Sequence, residues 1–214
     1  MKEKLNSIRM PQQSTTTKTV ISSLGTFVLG IVLGIISKWL DNLALDSTIW
    51  WHRILETLDL NNFFSEIAIW LLIALVIAVC STSAFRAAVN VFAFFAGMCG
   101  AYHLYTVLFS GFNPSSYMMI WYGITLFSPV LAVLCWYAKG EGVVSIILDI
   151  GIFAVFTLSC FSVGIIYVYI NGILNLLVFA IVIIVMYNSP KQLAISLPIG
   201  LLLSFLLSPI WPYK

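Results

Sequence analysis

Apolar residues in this chain run in blocks far longer than the core elements of a soluble domain require. Residues 87–138 contain no Asp, Glu, Lys or Arg, and residues 143–190 contain a single one, Asp149. A helix crossing a bilayer takes about 20 apolar residues. One helix over 87–138 would extend about 78 Å at 1.5 Å per residue, so the block must fold back once. Gly111-Phe112-Asn113-Pro114-Ser115-Ser116 supplies the turn signal. The second block also folds back once. Asn171-Gly172 is the preferred turn, flanked by Tyr167 and Tyr169, and Ser162-Val163-Gly164 is the alternative.

This pattern predicts an all-α membrane bundle of seven spans, at about 19–37, 67–84, 87–109, 117–138, 143–168, 172–187 and 193–207. Residues 1–18 read as a polar cytoplasmic tail and 19–214 as a single transmembrane domain. Between the first two spans, residues 46–60 form an amphipathic pattern. Trp50, Trp51, Ile54, Leu55 and Leu58 share one helical face, opposite His52, Arg53, Glu56 and Asp59, and Asp46 or Ser47 is placed to cap the helix. Such a segment reads as an external interfacial anchor, with a lid or a gate as alternatives. The halves could also be built as three spans, a linker and three spans, each half ending in a hairpin with a short basic inner loop.

Charge then orients the bundle. With the N-terminus inside, Lys2, Lys4, Arg9, Lys18, Arg86, Lys139 and Lys191 fall on the inner side, against Lys38, Arg53 and Lys214 outside. That asymmetry follows the positive-inside rule and puts the C-terminus outside. Asp41, Asp46, Glu56, Asp59 and Glu66 all lie on the outer side.

Composition agrees: 61% of residues are hydrophobic and 8% charged, against about 25% charged in ordinary soluble domains. A net charge of +2 gives no basis for nucleic-acid binding, and the lipid bilayer is the first partner implied. Cys80, Cys99, Cys135 and Cys160 lie in apolar stretches without a CxxC pair and read as small buried hydrophobes. His52 and Glu56 are one helical turn apart but lack a third ligand, so no metal or other cofactor is expected. Gly-x-Ser-x-Gly, HExxH, Walker A and a paired intramembrane carboxylate are all missing, so no enzyme activity is expected.

The remaining polar residues inside the spans carry the functional reading. Asp149 lies about seven residues into the fifth span, roughly 10 Å deep at helical rise. An acid there costs several kcal/mol unless paired, protonated or hydrated. It is either a proton-coupling group or half of a buried ion pair, with Arg86 the first candidate partner and Lys139 the second. Arg86, Asn90, Ala93, Gly97 and Ala101 form a stripe at four-residue spacing, a packing seam with a polar inner end. Gly30 and Gly34 form a second small-residue motif, suited to internal packing or dimerisation. Asn175 either caps the turn before it or places an amide in the bundle, where it would join Asn90 in a polar seam. Tyr102, His103 and Tyr105 mark an outer polar cluster. Pro129 and Pro198 should kink or open their helices.

The stretches Ser83-Ala84-Phe85-Arg86-Ala87-Ala88, Phe94-Phe95-Ala96-Gly97-Met98 and Trp136-Tyr137-Ala138-Lys139-Gly140-Glu141-Gly142 resemble segments of small multi-spanning bacterial membrane proteins of unknown function. The resemblance implies a bacterial plasma-membrane location and carries no activity. The expected function is a small-solute permease, or the membrane subunit of a transporter, using the buried acid. The alternative is a non-transporting scaffold that binds itself or other membrane proteins through its small-residue seams.

Overall fold

The computed structural model describes residues 6–46, 48–164 and 167–211. It is 78% helix, in nine α-helices among those residues. They are α1 (Thr16–Asp41), α2 (Trp50–Thr57), α3 (Leu60–Ser65), α4 (Ile67–Cys80), α5 (Ala84–Tyr105), α6 (Ser115–Ala138), α7 (Val143–Cys160), α8 (Ile173–Met186) and α9 (Pro190–Leu207).

Five of the predicted spans correspond to helices long and apolar enough to cross a membrane: α1, α5 with its continuation to Ser110, α6, α7, and α9 with its continuation to Ile210. The other two, α4 and α8, have 14 residues each. At helical rise that is about 21 Å, short of a hydrocarbon core of about 30 Å. Local chemistry sets their ends. The Ser81 hydroxyl bonds back to the Ile77 carbonyl (2.7 Å), and Ser83 caps the next helix by accepting from the Arg86 amide. Ser189 caps α9 in the same way, accepting from the Gln192 amide. The last span therefore begins at Pro190, three residues before its predicted start.

The fifth span is shorter than predicted. Helix α7 stops at Cys160, and an antiparallel hairpin follows, β1 (Phe161–Val163) against β2 (Val168–Ile170), in register Phe161–Ile170, Ser162–Tyr169, Val163–Val168. The fold is helical throughout apart from this one short hairpin. Both candidate turns are used: Gly164 follows β1, its amide donating to the Tyr167 carbonyl (2.9 Å), and Gly172 precedes α8. Aromatic and β-branched residues flanking Gly164 suit extended backbone.

The amphipathic segment is also interrupted. Asp59 takes a left-handed conformation (φ 51°) that separates α2 from α3. His52, expected on the polar face, is buried. Its ring stands edge-on to Trp51 and its Nδ1 accepts from the Asp46 amide (2.8 Å). Asp46 itself accepts from the Thr48 amide, and the Ser47 position lies outside the described residues. Cys80 is exposed, while all four cysteines are free.

Helix α4 lies at the centre of the bundle. It is apolar on all sides because both faces are covered. Trp70, Ala74 and Ala78 pack into one core with Phe94, Phe95 and Trp136, and Ala68, Leu72, Leu75 and Val79 into another with Phe153, Phe179 and Val182. Around it the first and third helices of each half pair in parallel. In the first half, Gly30 of α1 meets the Phe94 carbonyl of α5, Gly34 meets that of Met98, and Gly97 meets that of Phe27. In the second half, a Cβ on Gly200 of α9 would lie 2.6 Å from Phe153 Cβ of α7. The buried residues of α9 are Gln192, Ser196, Gly200 and Ser204, one per turn, which makes it the counterpart of the glycine stripe in α1.

Candidate functional site

The turns 81–83, 139–142 and 187–189 gather at one end of the bundle with the starts of α1, α5, α7 and α9. The N-terminal segment is docked there, so residues 8–12 are no free tail. The Gln12 amide donates to the Thr82 carbonyl (2.8 Å), and the Glu141 amide to the Ile8 carbonyl (2.9 Å). Arg9 donates to the carbonyls of Trp136 and Val79, both 2.9 Å, and lies 4.5 Å over the Trp136 ring. It thereby satisfies carbonyls at the C-terminal ends of α6 and α4, where a cation also complements the helix dipoles. Lys139 does the same for α8, reaching the carbonyls of Val185 (2.7 Å) and Tyr187 (2.6 Å). Burial lowers the Lys139 pKa, and the charge of Asp149 opposes that shift.

Two separate polar nests sit inside this end. In the first, between α1 and α5, Arg86 donates to the Thr19 carbonyl (2.6 Å), to the Ser23 hydroxyl and to Asn90 Oδ1 (3.4 Å). Asn90 donates to Ser22 (3.2 Å) and Ser81 (3.1 Å) and accepts from Ser23 (2.7 Å). The stripe predicted on α5 is a packing seam whose polar inner end is satisfied by hydroxyls of α1.

The second nest lies between α7 and α9. Asp149 is 1% exposed. Gln192 Nε2 donates to Asp149 Oδ2 (2.6 Å) and to the Ser145 hydroxyl (2.9 Å). Ser145 in turn donates to the carbonyls of Ala138 and Gly140, and Asn188 also bonds Gly140 (2.9 Å). Among the described residues, Asp149 Oδ1 is buried without a hydrogen-bond partner. The ion pair anticipated between Asp149 and Arg86 does not form: the two occupy different seams, and the acid's direct partner is a neutral amide. Gln192 falls between the predicted sixth and seventh spans, outside the apolar runs in which a polar residue stands out. Its place at the head of the stripe Gln192-Ser196-Gly200-Ser204 was the signal available.

The other candidates fall at the opposite end. Asn175 does not join Asn90. It donates to Glu66 Oε2 (2.7 Å), and burial raises the Glu66 pKa while that hydrogen bond opposes the rise. His103 bonds Tyr122 (2.5 Å) and Asn113 (2.9 Å), whereas Tyr105 packs on Phe109. His103 and Tyr105 therefore form no common cluster. Lys38, Asp41 and Tyr102 do assemble: Lys38 lies 3.7 Å from Asp41, which accepts from the Tyr102 hydroxyl (2.7 Å). Among the described residues no group of three His, Cys, Asp or Glu side chains is placed to hold a metal.

At Pro129 the lost amide frees the Thr125 carbonyl. The Ser128 hydroxyl takes its place, donating to Thr125 O (2.8 Å), and α6 runs on to Ala138.

The class defined so far is a helical protein with five candidate membrane-spanning helices and two shorter apolar ones. No protein-family model, curated protein or solved structure matches the chain.

Proposed function

We propose that this chain is a seven-helix membrane protein, N-terminus inside and C-terminus outside, that acts as a small-solute permease or the membrane subunit of a transporter, with Asp149 taking up and releasing a proton. The observation that carries the reading is the half-satisfied carboxyl: Asp149 is buried, its direct partner Gln192 is neutral, and Oδ1 has no partner. An intramembrane acid without a bound cation is a functional candidate by default. Protonation at Oδ1 removes the buried charge while leaving the Gln192 contact in place, so proton binding can change the strength of the α7–α9 seam. The parallel pairs α1/α5 and α7/α9, joined through α6, give further support, since many transporters are built from repeats.

The alternative, a scaffold, has less support in the central seam, where Gly25 is the position of the α1 motif left open. Gly30, Gly34 and Gly97 are occupied by the chain's own helices and are not free to receive a second protein.

The test uses proteoliposomes loaded with a pH-sensitive dye and a panel of small solutes. Solute-dependent proton movement that is absent from folded Asp149→Asn supports the proposal, and a panel that moves no protons counts against it. Orientation is checked by replacing the four native cysteines with Ala and adding Ser116→Cys or Glu141→Cys. An impermeant reagent applied outside should label the first and spare the second.

A further inference from the structure

A cavity of about 310 Å³ lies among α4, α5, α6 and α7, on the side of α7 away from Gln192. Its volume is at the lower end of the range for small-molecule sites. Leu75, Phe95, Leu131 and Ile152 are typical of its wall. The Ser128 hydroxyl in the wall already donates to Thr125 O, so the cavity holds almost nothing that could bind a polar solute. Gly151 leaves part of the space: no heavy atom lies within 4 Å of where its Cβ would be. The rim residues Leu131 and Ile147 are 50% and 60% exposed, on helices long and apolar enough to cross a membrane. The opening therefore faces hydrocarbon. Ile147 lies four residues into α7, about 6 Å from the basic end.

We infer that this cavity holds one acyl chain of a membrane phospholipid, whose headgroup stays outside in the interfacial layer at the basic end. The wall excludes polar solutes, and a close-packed interior does not leave such a space unfilled, because the lining atoms would lose their contacts. The apolar species that meets the opening at Leu131 and Ile147 is the acyl chain of the surrounding bilayer, whose headgroup stays outside the cavity. The inference rests on the membrane-embedded part of the proposed function and is independent of proton coupling.

The experiment reconstitutes the protein in phosphatidylcholine vesicles containing a trace of the same lipid with a photoactivatable acyl chain. Flotation first establishes insertion; protein that does not float with the vesicles refutes the membrane reading itself. After irradiation, labelling of inserted protein should concentrate on 147–156 and 124–135 and saturate as lipid is added. Gly151→Phe should reduce it several-fold, while label on the exposed α1 residues Val20, Ile21 and Leu24 stays constant. Gly151→Leu, a smaller filling, serves if the Phe variant does not fold. Labelling of the cavity no stronger than that of α1, or unchanged in the filled variant, overturns the inference. So does labelling that only a photoactivatable free fatty acid produces.

Discussion

Replacing Asp149 with Asn probes the α7–α9 seam most directly. The substitution keeps an oxygen to accept from Gln192 Nε2, now 2.6 Å from Asp149 Oδ2, and puts an amide where Oδ1 has no partner. Insertion data put an Asp at the centre of a spanning helix at about 3 kcal/mol unfavourable. A buried amide nitrogen left without an acceptor costs about 1–2 kcal/mol. The difference, less about 1 kcal/mol lost when the Gln192 bond to a charged acceptor becomes one between neutral groups, predicts that Asp149→Asn is neutral or stabilises the fold by up to about 1 kcal/mol where the carboxyl is ionised. Gln192→Leu acts in the opposite direction. It strips the carboxylate of its donor, and a hydrogen bond to a charged group is worth about 1.5–3 kcal/mol. Adding Asp149→Asn to Gln192→Leu should recover part of that loss, because the stranded charge is then gone. Denaturation with SDS in mixed micelles, followed by tryptophan fluorescence, gives all three values. A loss of more than about 2 kcal/mol in Asp149→Asn would refute the reasoning, because it would mean that a cation depends on the carboxylate.

Other substitutions test the remaining contacts. Gly97→Leu forces a side chain against the Phe27 carbonyl and should cost at least 1–3 kcal/mol, about the usual penalty of overpacking, in the same unfolding assay. Gly100→Ala on the same helix meets nothing within 4 Å and should be neutral or stabilise by up to about 1 kcal/mol. Arg9→Met removes two bonds to helix-end carbonyls and should release the N-terminal segment, read as faster proteolysis before Gln12 with the bundle still folded. Burial raises the Glu66 pKa above its ordinary 4.5, so just above that pH the folded state holds a proton that the unfolded state has lost. The contribution of Glu66 to stability should then be greatest below 4.5, decline as pH rises through the raised value and level off above it. Glu66→Gln, which keeps an acceptor for Asn175, should flatten that decline, and an unchanged pH profile would exclude Glu66 as its source.

The features legible in the sequence are those that depend on one segment at a time. Charge-free runs report contact with hydrocarbon, and Asn113-Pro114 reports a turn, whatever the neighbouring helices do. The hairpin after Cys160 was hidden because Phe-Ser-Val and Val-Tyr-Ile are as apolar as a spanning helix, and periodicity does not separate the two in a short buried run. The shortness of α8 was legible in the span 172–187, but that of α4 was hidden: it ends where the Ser81 hydroxyl bonds back to the Ile77 carbonyl, and a serine by itself does not mark the end of a span. Asp149 stood out as the lone break in an apolar run, yet its partner lies 43 residues away. Spacing within one helix cannot reveal a contact across two. The glycine seam left a choice between internal packing and dimerisation, and the carbonyls of Phe94, Met98 and Phe27 show Gly30, Gly34 and Gly97 in internal packing.

The two polar nests also explain why Asp149, rather than Arg86, bears the functional reading. Both lie near the basic end, each inside a parallel helix pair, and each puts a charge where water is scarce. Arg86 is held by three acceptors from two helices, one of them a backbone carbonyl that cannot change its protonation. These bonds tie α5 to α1, so this nest serves as a fixed joint. Asp149 has one strong donor and one empty oxygen, and a carboxyl has two protonation states. Of the two seams, α7–α9 is therefore the one whose strength a proton can alter. The nearby Lys139 is committed to the end of α8 through Val185 and Tyr187. On the proposed proton coupling, a change in the charge of Asp149 would be felt electrostatically by the residue that tethers α6 to α8, and would link the α7–α9 seam to the return helix of the same half.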